Sequence, residues 1–576
     1  MSVRSLAIPL LLAAAGLVAL SPALAAAPLL SARYDWRYFD TMTEIARRSV
    51  LWYGQVPLWN PYACGGEVDL ANPQSLTAAP TFLLVLLFGT AVGLKLSMCL
   101  YYALALDGTY RLARHLGASP TGAGLAALGF GLSGYQALHL AAGHINFAGV
   151  CLYPYLLLCY DRSLRAAEWV VPMGMVAAWI MALGGTFTPP MAGVLLLLWA
   201  GASAIRLRSL KPLLMLLLGV VVAVGCGAVR ALPVLEFLID HPRPPFRHRV
   251  VDVSLPWQVV GDLFAWRRFA PVPGRQYHGH EYAARLPWLL TPLWAGALLW
   301  IRRHAPGRRA PELLALAMLG LLLSMGQFSP LAPWSLLQHL PVFSALRVPS
   351  RFEILVVLAL ALLSAHGWDA VAARLDLRAG RRTAVAALLL LAVAADGALY
   401  TAQSFRGVFT VPLRPPAGPQ PFYHIEGHWM TMRQDIFAGR GTLGCDEEAP
   451  LQRAEALDVG PVPQERLLDP AAGEVISSQW SPNRRVITVD LQRETWLLIN
   501  SNWNEHFKSH PGRITKVAGR LAVDLSGLGP GRHTITVRYA PRSFYLGAVL
   551  SALSLPLALA VFVWMRWLRR RRGQAG

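Results

Sequence analysis

The stretch PLLMLLLGVVVAVGCGAVRALPVL, from Pro212 to Leu235, contains a single charged residue, Arg230. A helix rises about 1.5 Å per residue, so this stretch is long enough to cross the roughly 30 Å hydrocarbon core of a bilayer. The whole chain has the same character, since 55% of its 576 residues are hydrophobic and 15% are charged. Soluble domains carry about 25% charged residues. The composition therefore excludes a soluble enzyme of this size and predicts a polytopic α-helical membrane protein.

Residues 6–30 form another apolar run, which contains the motif ALAAA at 23–27 and so resembles a signal-peptidase site. We interpret this run as an uncleaved first helix, with cleavage of residues 1–27 as the alternative. Together with the remaining apolar segments it predicts about twelve transmembrane helices. The remaining predicted spans are 90–112, 119–138, 145–162, 168–185, 190–205, 286–301, 310–326, 351–369, 383–400 and 543–566.

The positive charge follows this predicted topology. The chain has 52 Lys and Arg against 32 Asp and Glu, a net charge of +20. Basic residues collect at the N-terminus, in short loops and in the tail, where Arg569 to Arg572 form a run. This is the positive-inside bias of membrane proteins, so both termini are predicted to be cytoplasmic. The bias also accounts for the charge without a nucleic-acid partner, which we do not expect.

Four longer segments are predicted on the outer side: 31–89, 236–285, 327–350 and 401–542. From Val475 onward the last of them alternates apolar and polar residues in the manner of β-strands, with Gly- and Pro-rich turns. This pattern predicts a small antiparallel β-sandwich outside the membrane. The predicted domains are a transmembrane domain (1–400), an extracytoplasmic β-rich domain (401–542), and a final helix with a basic tail (543–576).

Two of the six cysteines, Cys64 and Cys445, fall in predicted outer segments, where oxidation is permitted. A disulfide between them is one alternative and free thiols are the other. The sequence has no CxxC pair, so a zinc knuckle is not expected. The other four cysteines lie in apolar runs and are predicted to be packed thiols: Cys99, Cys151, Cys159 and Cys226.

A candidate catalytic carboxylate follows the first helix. Asp35 precedes an amphipathic stretch, residues 36–52, which predicts a helix at the membrane interface. Asp40 lies inside this helix, about 140° around its axis from Asp35, so the two are not a matched acid–base pair. Two roles are open for Asp35. It is either an N-cap that accepts from free N–H groups at the helix start, or a general base at the membrane surface.

Several motifs match a known family in order along the chain. The most specific is GQVPLWNPY at Gly54–Tyr62. With the motifs around it, this segment resembles the YfhO-like bacterial membrane proteins, which are placed in the GT-C superfamily of polyprenyl-phosphate-dependent glycosyltransferases. The other motifs are Ala71–Gln74, Ser133–Tyr135, Gly143–Asn146, Tyr153–Pro154, Leu346–Phe352 and the closing Arg538–Pro541.

The resemblance implies a GT-C-like glycosyltransferase of the bacterial inner membrane that acts on the extracytoplasmic face. Its donor would be a polyprenyl-phosphate-linked sugar, and its acceptor an envelope glycan, lipid or protein. The family's catalytic carboxylate lies in the first outer loop, which favours Asp35 as the base, and a single base predicts inversion at the anomeric carbon. Many members carry a second acidic residue beside it, where this chain has Tyr34. A divalent metal cofactor is therefore left open, and no metal ligand is assigned.

A lipid phosphate leaving group needs cationic partners, and arginine pairs with phosphate oxygens through its planar fork. Arg347 and Arg351 are four residues apart at the mouth of a predicted helix, so we expect them to share a face and bind the phosphate. Snorkelling to lipid headgroups is the alternative. The loop 239–285 adds arginines that suggest an anionic ligand or headgroup surface: Arg243, Arg247, Arg249, Arg267, Arg268, Arg275 and Arg285.

Four more residues are predicted to contact the substrate: Trp59 and Asn60 in the GQVPLWNPY motif, and His144 and Asn146 in a short outer turn. The HGHE motif at 278–281 has the residue types of a metal site, but we interpret its histidines as surface residues shaped by loop packing. The outer tryptophans could stack on sugar rings, with belt or core packing as the alternative: Trp59, Trp257, Trp266 and Trp503.

A rival function is a transporter or flippase for lipid-linked glycans. Such a protein should carry polar groups through its bundle and show internal repeats. Here the charged residues collect in outer loops and no repeat is evident, which favours the enzyme. A non-catalytic envelope scaffold is a third alternative, and it predicts that Asp35 can be replaced without consequence.

Overall fold

The computed structural model describes residues 3–27, 30–242, 252–300, 309–374, 378–412, 421–427, 432–445, 454 and 457–574. Helices dominate the chain up to Phe405, most of the strands follow, and a long helix closes it. The helices are α1 (Val3–Ala25), α2 (Trp36–Leu51), α3 (Phe82–Phe88), α4 (Thr90–His115), α5 (Pro120–Gly131), α6 (Gly134–Ala142), α7 (Tyr153–Ser163), α8 (Val170–Ala182), α9 (Thr188–Leu207), α10 (Lys211–Asp240), α11 (Pro256–Asp262), α12 (Thr291–Trp300), α13 (Ala310–Ser324), α14 (Pro333–Leu337), α15 (Glu353–Arg374), α16 (Ala379–Phe405), α17 (Met432–Phe437) and α18 (Arg542–Gln574). The strands are β1 (Leu30–Ala32), β2 (Trp59–Asn60), β3 (Glu67–Val68), β4 (Phe409–Pro412), β5 (Tyr423–Ile425), β6 (Arg440–Thr442), β7 (Glu465–Leu467), β8 (Gly473–Ser481), β9 (Arg484–Leu491), β10 (Trp496–Asn502), β11 (Phe507–His510), β12 (Arg513–Val517), β13 (Arg520–Asp524) and β14 (Gly531–Tyr539).

Each predicted span contains a helix, although several of the spans are not one continuous α-helix. The span predicted at 119–138 divides into α5 and α6, and the Oγ atom of Ser133 caps α6 by accepting from the N–H of Gln136. The span predicted at 145–162 begins as a 3-10 helix, Ile145–Leu152, and continues as α7. The number of membrane crossings stays a prediction. Six helical segments of the described chain are long and apolar enough to cross a membrane: Ala7–Ala25, Thr188–Leu207, Lys211–Asp240, Pro349–Arg374, Gly380–Phe405 and Arg542–Arg571.

The central helix of the bundle is α15. Every side chain from Glu353 to Trp368 is buried, and the helix packs against α5, α12 and α13. A helix that is apolar on all faces belongs inside a bundle. By contrast α18 lies at the periphery and exposes large apolar side chains such as Leu553 and Leu557, as a helix that faces lipid does.

Buried ion pairs join the helices at the end of the bundle where basic loops were predicted. Arg309, just before α13, pairs with Asp161 of α7 and with Glu312 at 2.9 Å. Arg206 of α9 reaches the same Glu312 at 2.8 Å. Residues at three loops that were predicted to be cytoplasmic therefore meet at one end of the bundle, and the side of the membrane on which that end lies stays a prediction.

Two four-stranded antiparallel sheets form the C-terminal sandwich, and the predicted β-sheet region is confirmed. One sheet has the order β12-β13-β10-β7 and the other β11-β14-β9-β8. Successive residues of a strand face opposite sides, so alternate apolar residues fill the space between the sheets. The residues that are almost fully buried there are Ile487, Val489, Leu497, Ile499, Leu521, Val523, Ile535 and Val537.

The first outer loop is fixed to this C-terminal region. A disulfide joins Cys64 to Cys445, so the alternative of free thiols at these positions is wrong. The amide of Asn502 donates to the backbone oxygen of Cys64 at 2.6 Å. Trp59 packs against Phe507 and Tyr539 of the sandwich, with its ring centroid 4.9 Å from each of theirs.

Candidate functional site

Asp35 lies immediately before α2, but its side chain makes no hydrogen bond to the free N–H groups of that helix. The N-cap interpretation is therefore wrong. The Oδ2 atom of Asp35 lies 3.0 Å from Nε2 of His144 instead. The side chain of Asp35 is 49% exposed and that of His144 is 9% exposed. A buried imidazole thus holds a carboxylate that a ligand can still reach.

The pKa of Asp35 lies below its ordinary value. Burial acts to raise this pKa, but the hydrogen bond and the charge of His144, with a contribution from His280, lower it by more. Asp35 is therefore ionised at neutral pH, which a general base requires.

Backbone contacts fix Asp35 against the end of α6. Its N–H donates to the carbonyl of Ala142 at 3.1 Å, and the indole N–H of Trp36 donates to the carbonyl of Leu140 at 2.8 Å. Gly143 ends α6 with a φ of +107°, and a Cβ at this position would lie 2.1 Å from the backbone nitrogen of Trp36. Only glycine permits this approach of the two chain segments.

A second histidine lies behind His144. Nδ1 of His139, a buried residue of α6, is 2.9 Å from Nδ1 of His144. Because ionised Asp35 can only accept, His144 donates to it from Nε2, and its Nδ1 atom makes the hydrogen bond with His139. The ring of His139 stacks on Phe147 with centroids 5.3 Å apart. Asp35, His144 and His139 therefore form a polar chain that runs from the surface into the bundle.

The HGHE motif completes the site on the other side of His144. The ring centroids of His144 and His280 are 5.0 Å apart, and Nε2 of His280 lies 3.4 Å from Oε1 of Glu281. His280 and Glu281 are both buried. The interpretation of this motif as surface histidines is therefore wrong for His280, although His278 is exposed.

Glu281 holds Arg351 in a two-pronged ion pair. Nε of Arg351 donates to Oε2 at 2.8 Å and Nη2 donates to Oε1 at 2.5 Å. The guanidinium also lies over the rings of Phe147 and Phe187, 4.7 and 4.2 Å from their centroids. Burial acts to raise the pKa of Glu281, but Arg351 outweighs it and holds that pKa well below its ordinary value. The arginine is thus fixed in orientation, with its charge balanced by Glu281.

Arg347 does not share a helical face with Arg351. Residues Leu346 and Val348 have extended backbones, and the chain becomes helical only at the 3-10 turn Pro349–Phe352. The expectation of one helical face is therefore wrong. Burial raises the pKa of Tyr277 to about 12, while both guanidinium groups act to lower it. The hydroxyl of Tyr277 donates to the backbone carbonyl of Arg347 at 3.2 Å, so this tyrosine connects the loop 239–285 to the segment that carries both arginines.

Three side chains of the site could hold a divalent cation. His144, His280 and Glu281 each offer a ligand atom, and these atoms lie within 4.8 Å of one another. Two imidazoles and a carboxylate are a donor set that zinc and similar ions accept. Nδ1 of His280 is buried and has no hydrogen-bond partner in the part of the chain that the structure describes. The residues fit such an ion by type and spacing, and Arg351 competes with it for Glu281.

The other predicted substrate contacts divide into two groups. Asn146 is buried two residues after His144, and its Oδ1 atom has no hydrogen-bond partner among the described residues. Asn60 is buried in the first loop, where its amide lies 3.3 Å from Glu67. Trp59 packs on the sandwich, as described above. The structure therefore brings Asn146 to the histidines and uses Trp59 and Asn60 to pack the loop.

Three arginines of the loop 239–285 form ion pairs within the protein. Arg267 and Arg275 both pair with the buried Asp262, at 2.5 and 3.3 Å. Arg285 pairs with Asp396 at 2.6 Å. For these three, the expectation of an anionic-ligand surface is wrong, because each guanidinium already pairs with a carboxylate of the protein, two of them with the same Asp262. Arg243, Arg247 and Arg249 lie outside the described residues.

His139, His280 and Glu281 were not predicted as site residues. The HGHE motif carried a visible signal for two of them, whereas nothing local marks His139. Their meeting depends on how α6 and the loop before α12 pack together, which a single sequence does not show.

No protein-family model matches this sequence, and no curated protein matches it. The resemblance to the YfhO-like proteins is therefore not confirmed. Among solved structures, the chain is similar to the mycobacterial arabinofuranosyltransferase AftD, with a TM-score of 0.47 and 17% identity over 71% of this chain and 27% of that one. It is also similar to ArnT from Cupriavidus metallidurans bound to undecaprenyl phosphate, with a TM-score of 0.47 and 15% identity over 77% and 86% of the two chains. The oligosaccharyltransferase of Archaeoglobus fulgidus gives a TM-score of 0.44 and 12% identity over 77% and 65%. The chain thus spans about a quarter of the AftD chain, and at these scores none of the three similarities establishes its function.

Proposed function

We propose that this chain is an integral-membrane glycosyltransferase of the GT-C type. It would transfer a sugar from a polyprenyl-phosphate donor to an envelope glycan, lipid or protein, on the extracytoplasmic face of the bacterial inner membrane. The observation that supports this function is the accessible, ionised carboxylate of Asp35, which a buried histidine holds in place.

The proposed reaction needs one base. A sugar hydroxyl is too weakly acidic to attack freely at neutral pH, so a positioned carboxylate must take its proton as the new bond forms. The acceptor oxygen bonds to the anomeric carbon, its proton passes to Asp35, and the bond from that carbon to the phosphate oxygen breaks. The electron pair of that bond leaves with the polyprenyl phosphate. One displacement without a carboxylate nucleophile inverts the anomeric centre.

His144 and His139 would act as positioning residues. His144 fixes the direction of the Asp35 carboxylate, and His139 fixes the orientation of the His144 ring. A base held in one direction loses little entropy when the acceptor arrives.

The departing phosphate gains negative charge, which fixed cationic donors stabilise in a poorly solvated site. Arg351, which Glu281 and two phenylalanines hold in a fixed orientation, would be one such donor, and Arg347, four residues before it in the chain, would be the second. A divalent cation, if bound, would be held by His144, His280 and Glu281 and would supply further positive charge there.

The test of this function uses the purified chain in lipid nanodiscs and in sealed vesicles. Polyprenyl-phosphate derivatives of several sugars are incubated with the nanodiscs and an envelope extract, and released polyprenyl phosphate is measured. We expect release from at least one donor, together with an inverted glycosidic product. Movement of intact donor across the vesicle membrane, without release from any donor, would show the rival flippase.

A further inference from the structure

A cleft of about 780 Å³ lies between the first outer loop, the end of α10 and the sandwich. This volume is in the range of small-ligand sites. The residues that line the cleft do not include Asp35, His144, His280 or Arg351. The side chains that bear on its chemistry are Trp59, Glu236, Asp240, Trp503, Glu505 and Tyr539.

The cleft is acidic although the chain is strongly basic. Among the described residues it is lined by three carboxylates, Glu236, Asp240 and Glu505, by one lysine, Lys516, and by two histidines, His241 and His506, whereas the whole sequence carries a net charge of +20. Such local charge repels anionic ligands and accepts hydrogen bonds from hydroxyl or ammonium groups. The cleft therefore does not suit a lipid phosphate.

The acidic wall is fixed before any ligand arrives. Glu236 of α10 lies 3.2 Å from Nε2 of His506 in the sandwich and also accepts from Ser543 at the start of α18. One carboxylate thus ties two helices to the sandwich at the edge of the cleft. A wall that is already in place costs a ligand less ordering.

Aromatic rings supply the apolar part of the cleft. Trp59 and Tyr539 are buried against each other, while Trp503 is only partly buried. The ammonium of the exposed Lys516 lies over the Trp503 ring, 5.1 Å from its centroid. Lys516 is a flexible side chain, so a ligand can displace it and stack on the face of the ring that it covers. Carboxylates beside an available ring match the hydroxyls and the apolar C–H faces of a sugar.

We propose that this cleft binds a glycan without acidic groups, as a part of the acceptor remote from the reacting hydroxyl. That the glycan is an acceptor rests on the proposed function, whereas binding of a glycan in the cleft does not depend on catalysis. The cleft would retain a growing chain while its reacting end meets Asp35.

The test measures binding by calorimetry to the full chain in nanodiscs without donor. The probes are neutral tetrasaccharides of glucose, mannose, galactose and N-acetylglucosamine, a glucosamine tetramer, and a galacturonate tetramer. We expect at least one neutral tetramer to bind, and the galacturonate tetramer to bind at least about ten-fold more weakly than it. Trp503→Ala and Glu505→Gln should each weaken binding about ten-fold. Trp257→Ala and Glu494→Gln are matched controls, because both residues are exposed and lie outside the cleft.

Binding of no neutral tetramer, or full binding by both cleft variants, would overturn the proposal. Glu505 is 60% exposed, so Glu505→Gln keeps the test valid if Trp503→Ala unfolds. Release of polyprenyl phosphate is measured on the same samples. Glycan binding without release of polyprenyl phosphate from any donor would contradict the proposed enzyme function but support the glycan-binding cleft. Release of polyprenyl phosphate without glycan binding would support the enzyme function and overturn the glycan-binding cleft.

Discussion

Nε2 of His144 lies 3.0 Å from Oδ2 of Asp35, although 109 residues separate the two along the chain. This bond joins the first outer loop to the turn that follows α6. The same imidazole contacts His139 on one side and faces His280 on the other. His144 thus connects the exposed carboxylate with the buried polar groups of the site, and its removal should change the chemistry more than the packing.

His144→Phe keeps a ring in place beside Phe147 but removes the donor to Asp35. We expect the rate of polyprenyl phosphate release to fall about 10- to 100-fold, because the base loses its fixed direction. His278→Phe is the control, since His278 is exposed in the same loop as His280 and stacks on Phe269. An unchanged rate for His144→Phe would exclude the positioning role.

Gly143→Ala should displace Asp35 itself. Its Cβ would meet the backbone of Trp36 at 2.1 Å, in addition to the strain of a φ of +107°. Gly117→Ala carries the strain alone, because Gly117 has a φ of +98° with open space around it. Left-handed strain costs about 1–2 kcal/mol. We therefore expect a small loss of thermal stability for Gly117→Ala, and a larger loss together with a loss of activity for Gly143→Ala. Equal activity in the two variants would contradict the close approach.

The buried carboxyl group of Asp69 should make the stability of the folded chain depend on pH. Burial raises the pKa of Asp69 to about 7, against the lowering effects of its Ser75 hydrogen bond and of Arg230. The unfolded chain loses this proton near its ordinary value of 3.8, so the folded state is destabilised as pH rises from about 4 to about 7 and the penalty is constant above that. Asp69→Asn should therefore raise the melting temperature at pH 8 by about 2–4 °C and leave it nearly unchanged at pH 4. Asp490→Asn, an exposed residue of the sandwich, is the control, and an equal shift at both pH values would refute the assignment.

The disulfide between Cys64 and Cys445 can be tested by counting free thiols. The denatured protein should titrate four thiols without reductant and six with it, because the other cysteines are free. Reduction should lower the melting temperature, since the bond closes a loop of 381 residues in the unfolded chain. Six thiols without reductant would show that the bond does not form.

The helices and the strands of the sandwich could be predicted because their signals are local. An apolar run such as 212–235 or the alternation in β9 and β14 depends on neighbours a few residues away. The strand β7 of the sandwich was not predicted, since it precedes Val475 and is only three residues long.

The site could be predicted only in part, because its contacts join distant segments. Asp35 and His144 were identified singly, but their bond was not. The HGHE motif was set aside because nothing in the sequence shows that its loop turns inward and buries His280 and Glu281. Arg347 was misplaced for a related reason. Pro349 follows two residues later, and the residues before a proline favour extended backbone over helix.

The most direct test of the central claim compares Asp35→Asn with wild type and with Asp107→Asn. Asn keeps the size of the side chain and one oxygen but cannot take a proton. Asp107 is a matched control, since it is 43% exposed, is paired with Arg111, and lies outside the site. With donor and acceptor present and equal protein levels, we predict that Asp35→Asn lowers the rate of polyprenyl phosphate release about 100- to 10,000-fold, and that Asp107→Asn stays close to wild type. A wild-type rate in Asp35→Asn would contradict the assignment of Asp35 as the catalytic base.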